Sequence, residues 1–255
     1  MSQATNLRDL WAQGRPSLNG WLSIPSAVSA EMMAYQGWDS LTLDLQHGLI
    51  GYEAALSMLQ GIGNTPVAPL ARLPWAEPGI AMKLLDAGAV GVIAPMTNSA
   101  EEAERLVNMC RYPPVGFRSV GPTRAALADP SHVETANGEV LVFAMVETSQ
   151  SLKEVDAIAA TSGLDGIYVG PADLALSMGR DSVLDPEDRV MTEAFGAIVK
   201  AAENAGIVAA LHCGSAAYAG KAVEWGFKMV TVQSDARILQ TGAAELVKNT
   251  RDQIG

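Results

Sequence analysis

Eight short apolar runs, each followed by a longer stretch of helical periodicity, constrain this chain more than any single motif does. The runs are Gly20–Ile24, Leu41–Leu45, Val67–Ala71, Gly91–Ala94, Leu141–Val146, Gly166–Val169, Val208–Leu211 and Met229–Val232. Helical stretches follow near 27–36, 52–62, 78–87, 99–110, 150–160, 187–205, 215–225 and 235–249. Short runs without alternation read as strands buried on both faces, and intervening helices of this length join parallel neighbours by right-handed crossovers. Eight such units close into a (β/α)8 TIM barrel more readily than they open into a sheet. At 255 residues, 49% of them apolar, the chain fits one such domain over 1–255.

Local punctuation agrees with this phase. Gly37, Gly88, Gly206 and Gly226 each follow a helical stretch and precede a turn or an apolar run, where a residue able to take positive φ ends a helix. Residues 5–14 read as an extra helix closing the barrel's N-terminal end, with Leu7, Leu10 and Trp11 at helical spacing. The stretch from Arg111 to Gly138 breaks the rhythm, with four prolines and no clear period, and is expected to be a long functional loop.

The net charge of −11 and the scatter of the few basic residues leave nothing to attract a polyanion, so nucleic-acid binding is excluded as an expectation. An anionic substrate then needs a local cation, either a metal or an arginine, in a small site. Cys110 and Cys213 form neither a disulfide framework nor a zinc motif. No basic leader and no run of about 18 apolar residues occurs, so a soluble cytoplasmic protein without a membrane partner is expected. Gly61 and Gly63 precede a strand instead of following one, which argues against a nucleotide cofactor.

Barrels keep their chemistry at the C-terminal ends of their strands. Here those ends carry Asp44 and His47, Arg72, Glu147, Asp173, His212 and Asp235. Glu147 and Asp173 each end an apolar run, and oxygen ligands of this kind suit Mg²⁺ or Mn²⁺; capping of a following helix explains such carboxylates equally well. His47 is the favoured candidate base, His212 a weaker one, and His132 reads as a surface residue. The lysines, Lys83, Lys153, Lys200, Lys221, Lys228 and Lys248, all fall away from that rim, so no Schiff-base lysine is available. A carbanion beside a carbonyl would therefore need a metal. No glycine-rich phosphate cradle follows the last two strands, which disfavours phosphorylated substrates.

Several ordered motifs carry a family resemblance: Asp-Leu-Gln-His-Gly at 44–48, Ala-Arg-Leu-Pro-Trp at 71–75, Leu-Asp-Ala-Gly-Ala at 85–89, Arg-Tyr-Pro-Pro-Val-Gly-Phe-Arg at 111–118, Glu-Thr at 147–148 and Gly-Pro-Ala-Asp-Leu at 170–174. The chain resembles, over nearly its whole length, the HpcH/HpaI family of class II pyruvate aldolases, among them the 4-hydroxy-2-oxoheptanedioate aldolases of aromatic catabolism. The resemblance implies a lyase that reversibly cleaves 4-hydroxy-2-oxo acids to pyruvate and an aldehyde through a metal-stabilised enolate. It further implies Glu147 and Asp173 as ligands of Mg²⁺ or Mn²⁺, with Co²⁺ or Zn²⁺ as alternatives. The N–H groups of Ala172 and Asp173 would receive the pyruvate carboxylate, Arg72 would polarise a carbonyl oxygen, and His47 would act as base. Asp86 would pair with that histidine across a subunit boundary, although helix-end packing accounts for Asp86 equally well.

The same resemblance implies a hexamer with a domain-swapped eighth helix, where Ile238, Leu239, Gly242, Ala243, Leu246 and Val247 form an apolar stripe that could pack equally on its own barrel. The Arg118 loop would help line a neighbour's site. Trp21, Leu211 and the loop around Phe117 are expected to shape the aldehyde pocket. Met145 stands where the best-known members carry Gln, Gln46 where they carry Glu, and Ser119 where they carry Gly, so the aldehyde and the preferred metal stay open. Two other readings are a CoA-thioester lyase of the citrate-lyase-like relatives, disfavoured by the sparse Lys and Arg, and a silent 2-oxo-acid-binding protein, disfavoured by the retained His47 and Arg72.

Overall fold

The structure, a computed structural model, describes residues 3–255. In chain order the elements are α1 (Gln3–Ala12), β1 (Ser17–Leu22), α2 (Ala27–Ala34), β2 (Ser40–Asp44), α3 (Tyr52–Ile62), β3 (Ala68–Arg72), α4 (Pro78–Asp86), β4 (Gly91–Ala94), α5 (Ala100–Cys110), α6 (Thr123–Ala128), α7 (His132–Glu139), β5 (Leu141–Val146), α8 (Ser149–Lys153), α9 (Val155–Ala159), β6 (Gly166–Val169), α10 (Pro171–Ser177), α11 (Arg189–Ala205), β7 (Val208–Cys213), α12 (Ala216–Glu224), β8 (Met229–Ser234) and α13 (Asp235–Ile254). All eight strands pair in parallel, each with its sequence neighbour, and β8 closes on β1. The expected α/β barrel is the observed fold.

Side-chain parity divides the core into two layers, because successive residues of a strand face opposite sides. Leu41 and Leu43 of β2, Val142, Ala144 and Val146 of β5, and Ala209 and Leu211 of β7 face the helices. Leu141, Phe143 and Met145 of β5, Tyr168 of β6, and Val208 and Ala210 of β7 fill the barrel interior. That interior is lopsided. On the side of β3 to β5 it is aliphatic and aromatic, while on the side of β8, β1 and β2 it holds Asn19, Ser40, Thr42 and Thr231, all fully buried. The polar side survives burial because its groups satisfy one another. Asn19 Oδ1 accepts from Ser40 Oγ at 2.8 Å and from Thr42 Oγ1 at 3.0 Å, and Asn19 Nδ2 donates to Thr231 Oγ1 at 2.8 Å.

α1 lies across the N-terminal end of the barrel as expected. Its Leu7 is fully buried in the interior cluster, and Trp11 packs edge-on to Phe143. Gly206 takes φ +70 at the end of α11 and Gly226 φ +107 after α12, so these helix stops work as the sequence suggests.

Three sequence expectations need correction. Residues 111–138 are not a structureless loop but carry α6 and α7, two helices too short to show a period. Arg124 of α6 gives this segment a structural task. It donates to the carbonyls of Leu59 at 3.2 Å and Ala87 at 2.5 Å, capping the C-terminal ends of α3 and α4 with one cation. The helix expected over 150–160 is broken into α8 and α9, and α10 adds a helix between β6 and α11.

The last helix departs from the rest. Among its twenty residues only Asp235 is buried, while Leu239, Leu246, Val247 and Ile254 are more than half exposed. The apolar stripe therefore does not pack on its own barrel. No helix among the described residues is long and apolar enough to cross a membrane.

Candidate active site at the C-terminal rim

The C-terminal ends of the strands surround a cleft of about 610 Å³ whose walls include Trp21, His47, Arg72, Ala172, Asp173 and His212. All six are among the residues singled out above, and they come from five different strand ends or the turns that follow them. Glu147 sits directly behind the Gly170 wall of this cleft.

Asp44, the interior-facing last residue of β2, organises one half of the rim. Arg72, opposite it on β3, donates Nε to Asp44 Oδ1 at 2.9 Å and Nη2 to Oδ2 at 2.7 Å. Trp21 Nε1 donates to Oδ2 at 3.1 Å, and the backbone N–H groups of Gln46 and His47 donate to Oδ1 at 3.0 and 3.1 Å. Burial pushes the Asp44 carboxyl up, but the Arg72 hydrogen bonds and charge, helped by His47 N–H and Trp21, outweigh it and hold the group below its ordinary value. The guanidinium is thus locked in a fork geometry over the Trp21 ring, 4.9 Å from its centroid, with Nη1 left for the cleft.

The turn after β2 carries His47 to the rim. It closes tightly at Gly48, where a Cβ would run into the Asp44 carbonyl oxygen. The imidazole is exposed and makes no hydrogen bond or ion pair among the described residues, so its ring nitrogens are free to meet a substrate.

Across the cleft lie the carboxylates. Glu147, one residue beyond β5, continues the interior parity of Phe143 and Met145 and is 2% exposed. Its Oε1 accepts from Met96 N at 2.7 Å, and Met96 takes φ +57 to aim that N–H, a left-handed conformation uncommon for a methionine. Its Oε2 faces Gly170, where a Cβ would come within 2.5 Å. Burial, only partly offset by the Met96 N–H and reinforced by the charge of Asp173, raises the Glu147 carboxyl to about 7. Asp173 stands in the first turn of α10 and is exposed to the cleft. Arg72 is already paired with Asp44, and neither Glu147 nor Asp173 has an ion-pair partner among the described residues.

Two expected residues lie elsewhere. Leu211 faces the helices and is fully buried there, because odd positions of β7 point outward; His212, one residue on, is the β7 side chain in the cleft. Within the chain Asp86 pairs not with His47 but with Arg118, whose Nη2 lies 2.7 Å from Asp86 Oδ1. Arg118 is fully buried, stacked 4.4 Å over Tyr112, and its Nε and Nη1 have no hydrogen-bond partner among the described residues. The anchoring role of Asp44 was not assigned from sequence, and Tyr168, Gln233 and Arg237 were missed as cleft residues. The interior parity of β6 would have found Tyr168.

With this geometry in view the relatives are informative. The family model described as HpcH/HpaI aldolase/citrate lyase matches residues 19–241. The hydroxypyruvate/pyruvate aldolase of Rhizorhabdus wittichii is 36% identical over 246 residues, covering 96% of this chain and 98% of the relative. A 4-hydroxy-2-oxo-heptane-1,7-dioate aldolase of Klebsiella pneumoniae is 32% identical, covering 94% and 91%. The crystal structure of an HpcH/HpaI aldolase/citrate lyase family protein from Burkholderia cenocepacia J2315 superposes with a TM-score of 0.90 at 31% identity, over 97% of this chain and 98% of that one. A match of this extent, over a barrel whose rim gathers these residues, makes the chain a member of the HpcH/HpaI aldolase/citrate lyase family.

Proposed function

We propose that this aldolase is metal-dependent and cleaves 4-hydroxy-2-oxo acids reversibly to pyruvate and an aldehyde. The observation that carries this reading is the uncompensated pair Glu147 and Asp173, facing a guanidinium already neutralised by its own carboxylate. The pair fits a hard divalent cation. Glu147 offers Oε2 with its other oxygen held by a main-chain N–H, and the missing Cβ at Gly170 leaves that oxygen room. No third His, Cys, Asp or Glu joins them among the described residues, so water and the 2-oxo acid would complete the shell, as suits Mg²⁺ or Mn²⁺. Bound there, such an ion supplies Lewis-acid polarisation of the 2-oxo group.

The chain's own residues do the rest. The N–H groups of Ala172 and Asp173, in the first turn of α10 where no intrahelical acceptor exists, receive the substrate carboxylate. Free Nη1 of Arg72 donates to the oxygen on which charge grows as the C3–C4 bond breaks. His47 takes the proton of the C4 hydroxyl, so that the aldehyde leaves and the bonding pair stays on the pyruvate carbon, which is then reprotonated. A CoA-thioester lyase would need a basic groove for the CoA phosphates, and among the described residues the cleft offers Arg72 and Arg237 as its only arginines or lysines.

The bare apolar stripe of α13 supports a homo-oligomer in which this helix covers a neighbour's barrel, and a hexamer is the assembly proposed. Two buried free cysteines support a reducing, cytoplasmic setting. The decisive experiment follows pyruvate release from a panel of 4-hydroxy-2-oxo acids, with and without chelator, together with exchange of the pyruvate methyl protons. Glu147→Ala should abolish metal-dependent pyruvate binding. His47→Ala should keep binding and lose turnover by about 10²–10⁴-fold. Release that survives complete chelation would overturn the metal reading.

A further inference from the structure

The mechanism above leaves one buried polar chain unused. It begins at Asn19, whose Oδ1 accepts from the Ser40 and Thr42 hydroxyls; neither hydroxyl has another acceptor among the described residues, so a flipped amide would leave both protons unpaired, and Nδ2 faces Thr231. Thr231 Oγ1 lies 2.7 Å from Tyr168 Oη, and Tyr168 Oη lies 3.0 Å from His212 Nδ1. Asn19, Thr231 and Tyr168 are all fully buried, and the chain emerges into the cleft only at His212.

Proton counting fixes its polarity. Either hydroxyl of the Thr231–Tyr168 pair can donate to the other, but Thr231 already accepts from Asn19 and has no other acceptor for its own proton among the described residues. A buried hydroxyl proton left unpaired is costly, so Thr231 donates to Tyr168 and Tyr168 donates to His212 Nδ1. The histidine proton then resides on Nε2. Burial, reinforced by the nearby Arg72 cation, depresses the His212 imidazole to about 4, so it stays neutral at physiological pH. Nε2 has no hydrogen-bond partner among the described residues and is open to the cleft, with the ring set edge-on to Trp21 at 5.0 Å.

Resting on the aldolase reading, we propose that His212 is a specificity-determining residue: its Nε2–H, oriented by the Asn19–Thr231–Tyr168 chain, donates a hydrogen bond to an oxygen substituent of the aldehyde partner, so that short hydroxyaldehydes are preferred over alkyl aldehydes of the same size. A neutral donor suits a hydroxyl oxygen because binding it requires neither partner to lose a charge. The cleft wall beside His212 continues in that sense, with Gln233 and Ser234 from β8 and Ser23 after β1.

The test compares glycolaldehyde with propanal, in which a methyl group replaces the hydroxyl, as acceptors for pyruvate addition with added Mg²⁺ or Mn²⁺. His212→Leu should lower the glycolaldehyde-to-propanal ratio of kcat/KM by about tenfold or more while leaving exchange of the pyruvate methyl protons unchanged. His212→Gln, which keeps an N–H donor, should restore part of the ratio, and Tyr168→Phe should lower it without removing the imidazole. Nitrogen-15 NMR of the unaltered protein, simplified by its three histidines, should show His212 protonated on Nε2. An unchanged ratio in His212→Leu with normal exchange, or a His212 protonated on Nδ1, would overturn the proposal while leaving the aldolase reading intact. Absence of exchange in the unaltered protein would overturn both.

Discussion

Gly170→Ala isolates the Glu147 contact from backbone strain. Gly170 has φ −94 and ψ 94, which alanine adopts without difficulty, so any effect must come from the added methyl group. That methyl would stand 2.5 Å from Glu147 Oε2, 3.3 Å from Met145 Cε and 3.4 Å from Glu147 Cβ. Ordinary contact begins at 3.4 Å, so the oxygen must recede by 0.9 Å. It cannot do so freely, because Oε1 is tied to Met96 N–H and the side chain is buried against Met145. Metal–oxygen distances tolerate only about 0.2 Å, so a displacement of this size removes one of two protein ligands. Mn²⁺ affinity, measured by calorimetry with pyruvate present, should fall at least 10–100-fold, roughly the loss seen when a supporting residue of a metal site is removed. The crowding should also cost about 1–3 kcal/mol of stability. The control is Gly220→Ala within α12, where a Cβ meets nothing within 4 Å and helix propensity should add about 0.5–1 kcal/mol. Unchanged Mn²⁺ affinity in Gly170→Ala would refute the placement of Oε2 as a ligand.

Three more expectations follow from the same structure. Arg72→Ala should cost about 10²–10³ in turnover by removing the donor aimed at the reacting oxygen, and about 3–5 kcal/mol in thermal or denaturant unfolding because Asp44 is left buried without its partner. Glu147 is raised in the folded chain from 4.5 to about 7, so it favours the folded state fully only while protonated, and the metal-free protein should lose stability as pH rises from about 4.5 to about 7, by up to about 3 kcal/mol; a Tm that stays flat across that window in chelator, or that is not raised at pH 8 by Mn²⁺, would count against it. Removing residues 239–255 of α13 should leave far-ultraviolet dichroism of a folded barrel but shift the protein from oligomer to monomer in sedimentation; an oligomer unaffected by the deletion would show that this helix does not hold it together.

What sequence could and could not reveal follows from which forces act locally. The eight strands were legible because a strand covered on both faces has to be apolar throughout, and Leu-Val-Phe-Ala-Met-Val admits little else. The helix stops were legible because a positive φ at Gly206 is a property of one residue. α6 and α7 were not, since helices of six and eight residues bury one alanine each and leave no period to read. Arg124, which ties that segment to α3 and α4, looks in sequence like any surface arginine. The fate of the α13 stripe was also beyond reach, because a stripe packs as well on its own barrel as on a neighbour's.

The candidate site divides along the same line. His47, Arg72, Glu147 and Asp173 stand at strand ends and could be picked out by position, yet the sequence says nothing of what neutralises what. Asp44 lies three residues before His47, and its position alone suits a metal ligand as well. Five hydrogen bonds from four residues, two of them from Arg72, commit its charge, and only then do Glu147 and Asp173 stand out as the pair without an ion-pair partner among the described residues. Parity decides the rest. Choosing Leu211 over His212 is an error of one residue, and on a strand one residue is the difference between the helix layer and the cleft. Counting inward from buried Val208 through Ala210 leads to His212, and the same count on β8, from Met229, leads to Thr231. Two members of the buried polar chain, Thr231 and His212, are thus fixed by the alternation that builds the barrel. The presence of His212 in the cleft is a consequence of fold register, and it would be lost by any slip that Glu147, after β5, and Asp173, after β6, need not feel.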